Sequence, residues 1–195
     1  MDHYQQRKSK TRQRILDAGW HLMRRDGVTP ARVSDICDAA GVARKTFFNH
    51  FSSKDELLLD LAQGMAEEMY LQLGNIRKET PRFEQQIDSL FILVGARIKL
   101  HGVMHPEFLL QLLHTSNLEA GNRGSYELKS HFLAMVNEAI DDGQLAKASD
   151  ALGIANVVFG VWYAIMMVWV YEGPDTAIEQ ARDTAIFIHK SIGNT

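Results

Sequence analysis

Residues 151–171, ALGIANVVFGVWYAIMMVWVY, contain one strongly polar side chain, Asn156. As a helix this stretch is long enough to cross a bilayer. A helix that is apolar on every side needs apolar surroundings on every side, either lipid or protein. Asp150 and Glu172 flank the run, no Lys/Arg cluster adjoins it, and the segment that follows is amphipathic. These flanks do not suit a membrane anchor. Burial in protein is the expectation, with one side of the helix against its own domain and the other against a second copy of the chain.

The rest of the chain reads with the 3.6-residue period of helices. Strand-like alternation is nearly absent, and 195 residues include only four prolines. The first helix is expected over Lys8–Asp26, with a stripe of Ile15, Ala18, Gly19, Leu22 and Met23 and a stop at Gly27. A second is expected after Thr29 as N-cap and Pro30 as first residue, burying Val33, Ile36, Cys37 and Ala40. Gly41 supplies a turn, and a short helix covers Ala43–His50. Ser53 and Glu56 form a capping box for a long fourth helix. Further helices are expected over Pro81–Leu100, Pro106–His114, Tyr126–Asp141, from a Ser149 or Asp150 cap to Tyr171, and over Thr176–Ile192. Segments 115–125 and 141–150 read as loops. The class is all-α with about nine helices, a small N-terminal domain (1–54) and a larger helical one (55–195). The hydrophobic content of 46% is ample for a core. A lone cysteine, Cys37, permits no intrachain disulfide and suits a reducing compartment. With a polar N-terminus lacking an apolar run, the expected location is the cytoplasm.

Charge is distributed unevenly. Residues 1–54 hold 11 Lys/Arg and 5 Asp/Glu, whereas residues 55–195 hold 10 and 19. The head carries +6 and the body −9, which points the head toward an anion. Within the head, GVARKTFFNHFSSK (41–54) places Phe47 and Phe51 on one side of a helical wheel. Lys45, Thr46, Asn49 and His50 share the other. A helix this short is not stable alone, so the aromatics must fasten it to its neighbours. Helix, Gly-containing turn and second helix with an outward basic face make a helix-turn-helix, whose second helix enters the DNA major groove.

These residues, TRQRILDAGWHLMRRDG followed by VSDICDAAGVARKTFFNHFSSKDELLLDLA, resemble the N-terminal domain of the TetR family of bacterial transcriptional regulators over about residues 11–62. The resemblance implies a recognition helix carrying Arg44, Lys45, Thr46, Phe48, Asn49 and His50. It implies backbone or base contacts from Arg32 and Ser34, and a phosphate contact from Lys54 at a helix start. It also implies a homodimer built from the last two helices of each subunit and a variable body that binds an effector. Phe48 stands where the family often has Tyr, and it has no hydroxyl to offer a phosphate.

The body contains no P-loop, GxSxG or GxGxxG pattern, and no catalytic constellation is apparent. His101 and His105 are interrupted by Gly102 and accompanied by no cysteine, so neither a metal nor a cofactor is expected. Phe91, Met104, Phe108, Leu112, His131, Met135, Trp162 and Met166 suit an adaptable apolar cavity. Arg97, His101 and His114 are further polar candidates. Equally, these side chains suit an ordinary core. The expected partners are a double-stranded operator with an imperfect palindrome, a small-molecule effector and a second copy, with no membrane. Alternatives are a general DNA-coating protein without an effector, and an all-α carrier or enzyme with a relic DNA-binding head.

Overall fold

The computed structural model describes the backbone of residues 3–118 and 123–192, and side chains within 5–113 and 128–187. Among these residues there are nine α-helices and no strand. They are α1 (His3–Asp26), α2 (Val33–Ala40), α3 (Arg44–Phe48), α4 (Lys54–Glu79), α5 (Phe83–His101), α6 (Pro106–Leu118), α7 (Arg123–Asp141), α8 (Ala151–Glu172) and α9 (Pro174–Ile192). The chain forms two compact units, Met1–Ala66 with Met104–Gly121, and Glu67–Val103 with Asn122–Thr195. The expected His114 side chain lies outside the described residues.

In the first unit, the predicted stripe of α1 faces inward, with Ile15 and Met23 fully buried. Gly19 allows α1 to approach α4 closely, because a Cβ there would lie 2.7 Å from Leu57 Cδ2. Three sequence expectations are corrected here. The second helix does not start at Thr29–Pro30 but at Val33, with Arg32 as an N-cap that makes no side-chain cap bond. Thr29 instead donates its backbone N–H (3.1 Å) and its hydroxyl to the Glu107 carboxylate at the start of α6. A long-range partner therefore wins over a local cap. The third helix is shorter than expected, ending at Phe48, with Asn49 and His50 in the turn beyond. The sixth helix continues to Leu118, so the polar composition after His114 does not stop it.

The capping box closes one residue earlier than expected at its N-terminal end. The Glu56 N–H donates to Ser53 Oγ (3.1 Å), while the Glu56 carboxylate takes the Ser52 N–H (2.5 Å).

In the second unit, α5 packs along α9, α9 along α8, α8 along α7, and α5 also meets α7. The small residues Ala177, Ala181 and Ala185 let α9 lie close to α5. Phe83, Ile87, Leu90, Phe91, Val94 and Ile98 of α5 are buried, as are Phe132, Met135, Val136 and Ala139 of α7. Of the two expected caps, Ser149 and Asp150, it is Asp150 that caps α8, accepting the Gly153 N–H at 2.9 Å. Within one chain only one side of α8 is covered. Ala155, Val158, Ile165, Met166, Trp169 and Val170 are buried, while Val157 (66% exposed) and Tyr171 (74%) face outward with Leu152 and Tyr163. By length and composition α8 would also cross a membrane.

Candidate nucleic-acid interface

α3 is a five-residue helix held by aromatics. Phe47 (0% exposed) and Phe51 (1%) are sealed in the first unit, their ring centroids 5.8 Å apart. Phe48 packs edge-on against Phe47 at 5.3 Å yet stays half exposed. With the aromatics inside, the helix has no freedom to rotate, and Arg44, Lys45 and Asn49 are exposed, with Thr46 partly so. Lysine and asparagine side chains presented this way have the donors and acceptors that base edges and phosphates require.

The approach to α3 is fixed from both ends. Gly41 takes a left-handed conformation (φ 62°) that a side chain would strain, and its N–H bonds to Asp38 O at 3.1 Å. Arg14 of α1 donates to the carbonyls of Ala40 and of Gly41, the latter at 3.1 Å. The guanidinium thus satisfies carbonyls that the end of α2 leaves open. At the far end, Arg12 pairs with Asp60 of α4 and lies 4.9 Å from the Phe51 ring centroid. Neither arginine stands out in the sequence. The signal available there is their position, three and one residues before Ile15 at the edge of the buried stripe.

The remaining predicted residues differ in setting. Arg32 and Ser34 are exposed at the start of α2, and Ser34 Oγ bonds to the neighbouring Asp35 carboxylate at 3.2 Å. His50 is half-buried, and its Nδ1 is buried. Burial, then the positive charges of Lys8 and Arg12, hold its pKa below the usual imidazole value, which favours the neutral ring. Lys54 bends back to donate its Nζ to Val28 O at 2.6 Å, bracing the turn between α1 and α2. Cys37 is buried, and desolvation pushes its thiol pKa up, which disfavours the reactive thiolate.

The residues predicted to line an effector site are divided between the two units. Met104, Phe108 and Leu112 belong to the first, where all three are buried and Phe108 meets Trp20 of α1 edge-on at 5.3 Å. Phe91, His131, Met135, Trp162 and Met166 belong to the second. There His131 stacks on Tyr70 at 5.4 Å, and the Trp162 Nε1 is buried without a hydrogen-bond partner. A groove of about 480 Å³ lies between α5 and α9, lined by Phe91, Ile92, Ala96 and Ile178 and bordered by Lys99 and Arg182. Of the predicted ligand residues, Phe91 alone lines this groove. Arg97 and His101 have other engagements: Arg97 forms a two-pronged ion pair with Glu68 (2.7 Å for one prong), and His101 stacks on Trp169 at 6.4 Å. No cluster of three or more potential metal ligands occurs among the described residues.

A Gly-turned helix pair presenting a rigid, cationic second helix defines a helix-turn-helix DNA-binding regulator. Residues 15–61 match the family model described as bacterial regulatory proteins, tetR family. Over these residues the chain is similar to that family's N-terminal domain. It is 22% identical over 149 residues to the HTH-type transcriptional repressor KstR2 of Mycobacterium tuberculosis, covering 73% of each chain. Its fold is similar to a TetR transcription regulator from Haloarcula marismortui (TM-score 0.77, 18% identity, 94% of this chain and 98% of that one). It is also similar to the regulator FadR of Bacillus subtilis in complex with stearoyl-CoA (TM-score 0.67, 18% identity, 90% and 96%).

Proposed function

We propose that this protein is a homodimeric, cytoplasmic transcriptional repressor that a small apolar or amphipathic molecule releases from its operator. The observation that carries the DNA half of this reading is the sealed Phe47–Phe51 pair beneath an exposed Arg44, Lys45 and Asn49. Lys45, Thr46 and Asn49 read base edges or nearby phosphates. Arg32, Ser34, Arg44, Phe48, His50 and Lys54 complete the contact surface. Lys54 reaches a phosphate only by giving up its bond to Val28 O or by sharing the proton donors of its ammonium group. DNA contacts come from residues 1–54, and effector and dimer contacts from residues 55–195.

The dimer half rests on the uncovered side of α8, where Val157, Tyr163 and Tyr171 would meet their two-fold mates. The effector half rests on the buried Met and aromatic side chains of the second unit. It also draws on two similar proteins, FadR in complex with stearoyl-CoA and the ketosteroid transcriptional regulator KstR2. Release follows only if the effector binds the DNA-free conformation more tightly than the DNA-bound one.

Enrichment of duplexes from a random library by the full-length protein tests the reading. An imperfect palindrome with half-sites about one helical turn apart, or a multiple of that, is expected. Asn49→Ala should cost roughly 1–3 kcal/mol on that duplex and relax preference at one position per half-site. Titrating the complex with long-chain acyl-CoA and steroid probes should dissociate it. If Asn49→Ala and the Lys45 and Thr46 variants leave sequence preference intact, α3 is not the reader.

A further inference from the structure

The cations of the head are not evenly spread along it. Five of the 11 Lys/Arg of residues 1–54 fall between residues 7 and 14, all before the segment that matches the family model. Two of them have structural duties, Arg12 toward Asp60 and Phe51, and Arg14 toward the carbonyls of Ala40 and Gly41. The other three, Arg7, Lys8 and Lys10, are exposed on an α1 that starts at His3, well before the expected Lys8.

Helix geometry says where these three point. Lys8 lies one turn before Arg12 on the same face, and Lys10 one turn before Arg14. Arg7 lies two turns before Arg14 on that same side. Arg12 is fastened beside Phe51, just past α3, and Arg14 beside Gly41, just before it. The exposed cations therefore continue, by one or two turns, two stripes that already grip both ends of α3. The charge of Lys8 is felt at His50, in the turn that follows α3.

Among the described residues, no ion pair engages Arg7, Lys8 or Lys10. Arg7, Lys8 and Lys10 lie close together on α1 just beyond its first turn, which contains no acidic residue. Like charges three apart on a helix repel one another, and an external anion would relieve that repulsion. Local rules are broken in this way at functional sites.

We propose that Arg7, Lys8 and Lys10 form a phosphate-binding extension of the DNA interface, contacting the duplex backbone flanking the bases that α3 reads. The inference rests on the reading of α3 as the recognition helix. Since phosphates are the same in every sequence, the extension strengthens binding to all duplexes and contributes nothing to preference.

The test is the Arg7→Ala/Lys8→Ala/Lys10→Ala protein, full length, against the library-enriched duplex and a mixed-sequence duplex at several salt concentrations. Alanine favours the helix, so folding is protected, and circular dichroism and the oligomeric state confirm it. Affinity should fall by the same factor for both duplexes. The slope of log K against log salt should become shallower by about 0.9 for each phosphate no longer neutralised, up to about 2.7 for all three. An unchanged slope in a folded variant overturns the proposal while leaving the recognition helix intact. A changed sequence preference also overturns it, since the arm would then be reading bases. A wild-type protein with no affinity for any duplex overturns the recognition-helix reading on which it stands.

Discussion

α3 and α8 are both held by aromatic and aliphatic side chains, and they meet solvent in opposite ways. α3 is five residues long, buries Phe47 completely and shows Arg44 and Lys45 outside. α8 is 22 residues long, buries Ile165 and Trp169, and leaves Val157 and Tyr171 uncovered. The outer face of α3 is already at home in water and is shaped for a hydrated polyanion. The outer face of α8 is not: it leaves Leu152, Val157, Tyr163 and Tyr171 in water, and on the reading proposed above a second copy covers them. One helix thus implies a partner by the charge it displays, and the other by the apolar area it leaves open.

The contrast can be broken most sharply at α3. Phe47→Ala should destabilise the first unit by roughly 3–5 kcal/mol, since a fully buried ring leaves a cavity. Denaturant unfolding followed through DNA binding measures it. A destabilisation below about 1 kcal/mol would mean that the aromatic anchor is not what holds the recognition face outward.

Val157→Asp addresses the other side of the comparison. Here the subunit should keep its fold, because residue 157 is exposed within one chain, while the dimer is lost to an unpaired buried carboxylate. Sedimentation at micromolar concentration should change from dimer to monomer with the circular dichroism unaltered. A variant that stays dimeric would place the interface elsewhere, and a wild-type protein that is itself monomeric would remove the interface altogether.

The smallest effect concerns the ion pairs that brace the second unit. Glu68 is held below the usual carboxylate pKa by its bond to Arg97, and Glu138 by its bond to Arg77. A carboxylate whose pKa is depressed by folding contributes stability above its unfolded value. That contribution is lost as pH falls through the lower, folded value. Glu68→Gln should therefore be less stable than wild type at neutral pH, with the difference shrinking as pH drops below about 4.3. Glu68 is half exposed, so solvent screening keeps the effect small. Thermal melts across that pH range would show it, and a difference independent of pH would mean that the pair is not the cause.

Much of the molecule is legible from local rules. The buried stripe of α1, the Gly41 turn, the Phe47–Phe51 anchor and the Asp150 cap depend on residues within a few positions of one another. Periodicity and capping chemistry suffice for those. Where local rules mislead, a distant partner has intervened. Thr29 has the look of a helix cap, but Glu107 claims both its donors, and α2 starts four residues later. Lys54, placed at a helix start as if for a phosphate, reaches back to Val28 O. The grouping of Met104, Phe108 and Leu112 with the DNA-binding helices could not be read from a chain in which they lie some fifty residues away.

The sequence by itself determined the all-α class and the order of most helices, because short-range hydrogen bonding and hydrophobic spacing act between near neighbours. Only the tertiary structure decided that Arg12 and Arg14 brace α3, that α6 begins in the DNA-binding unit, and that one side of α8 stays uncovered. Those depend on which surfaces meet across long sequence separations, and no local pattern records the meeting.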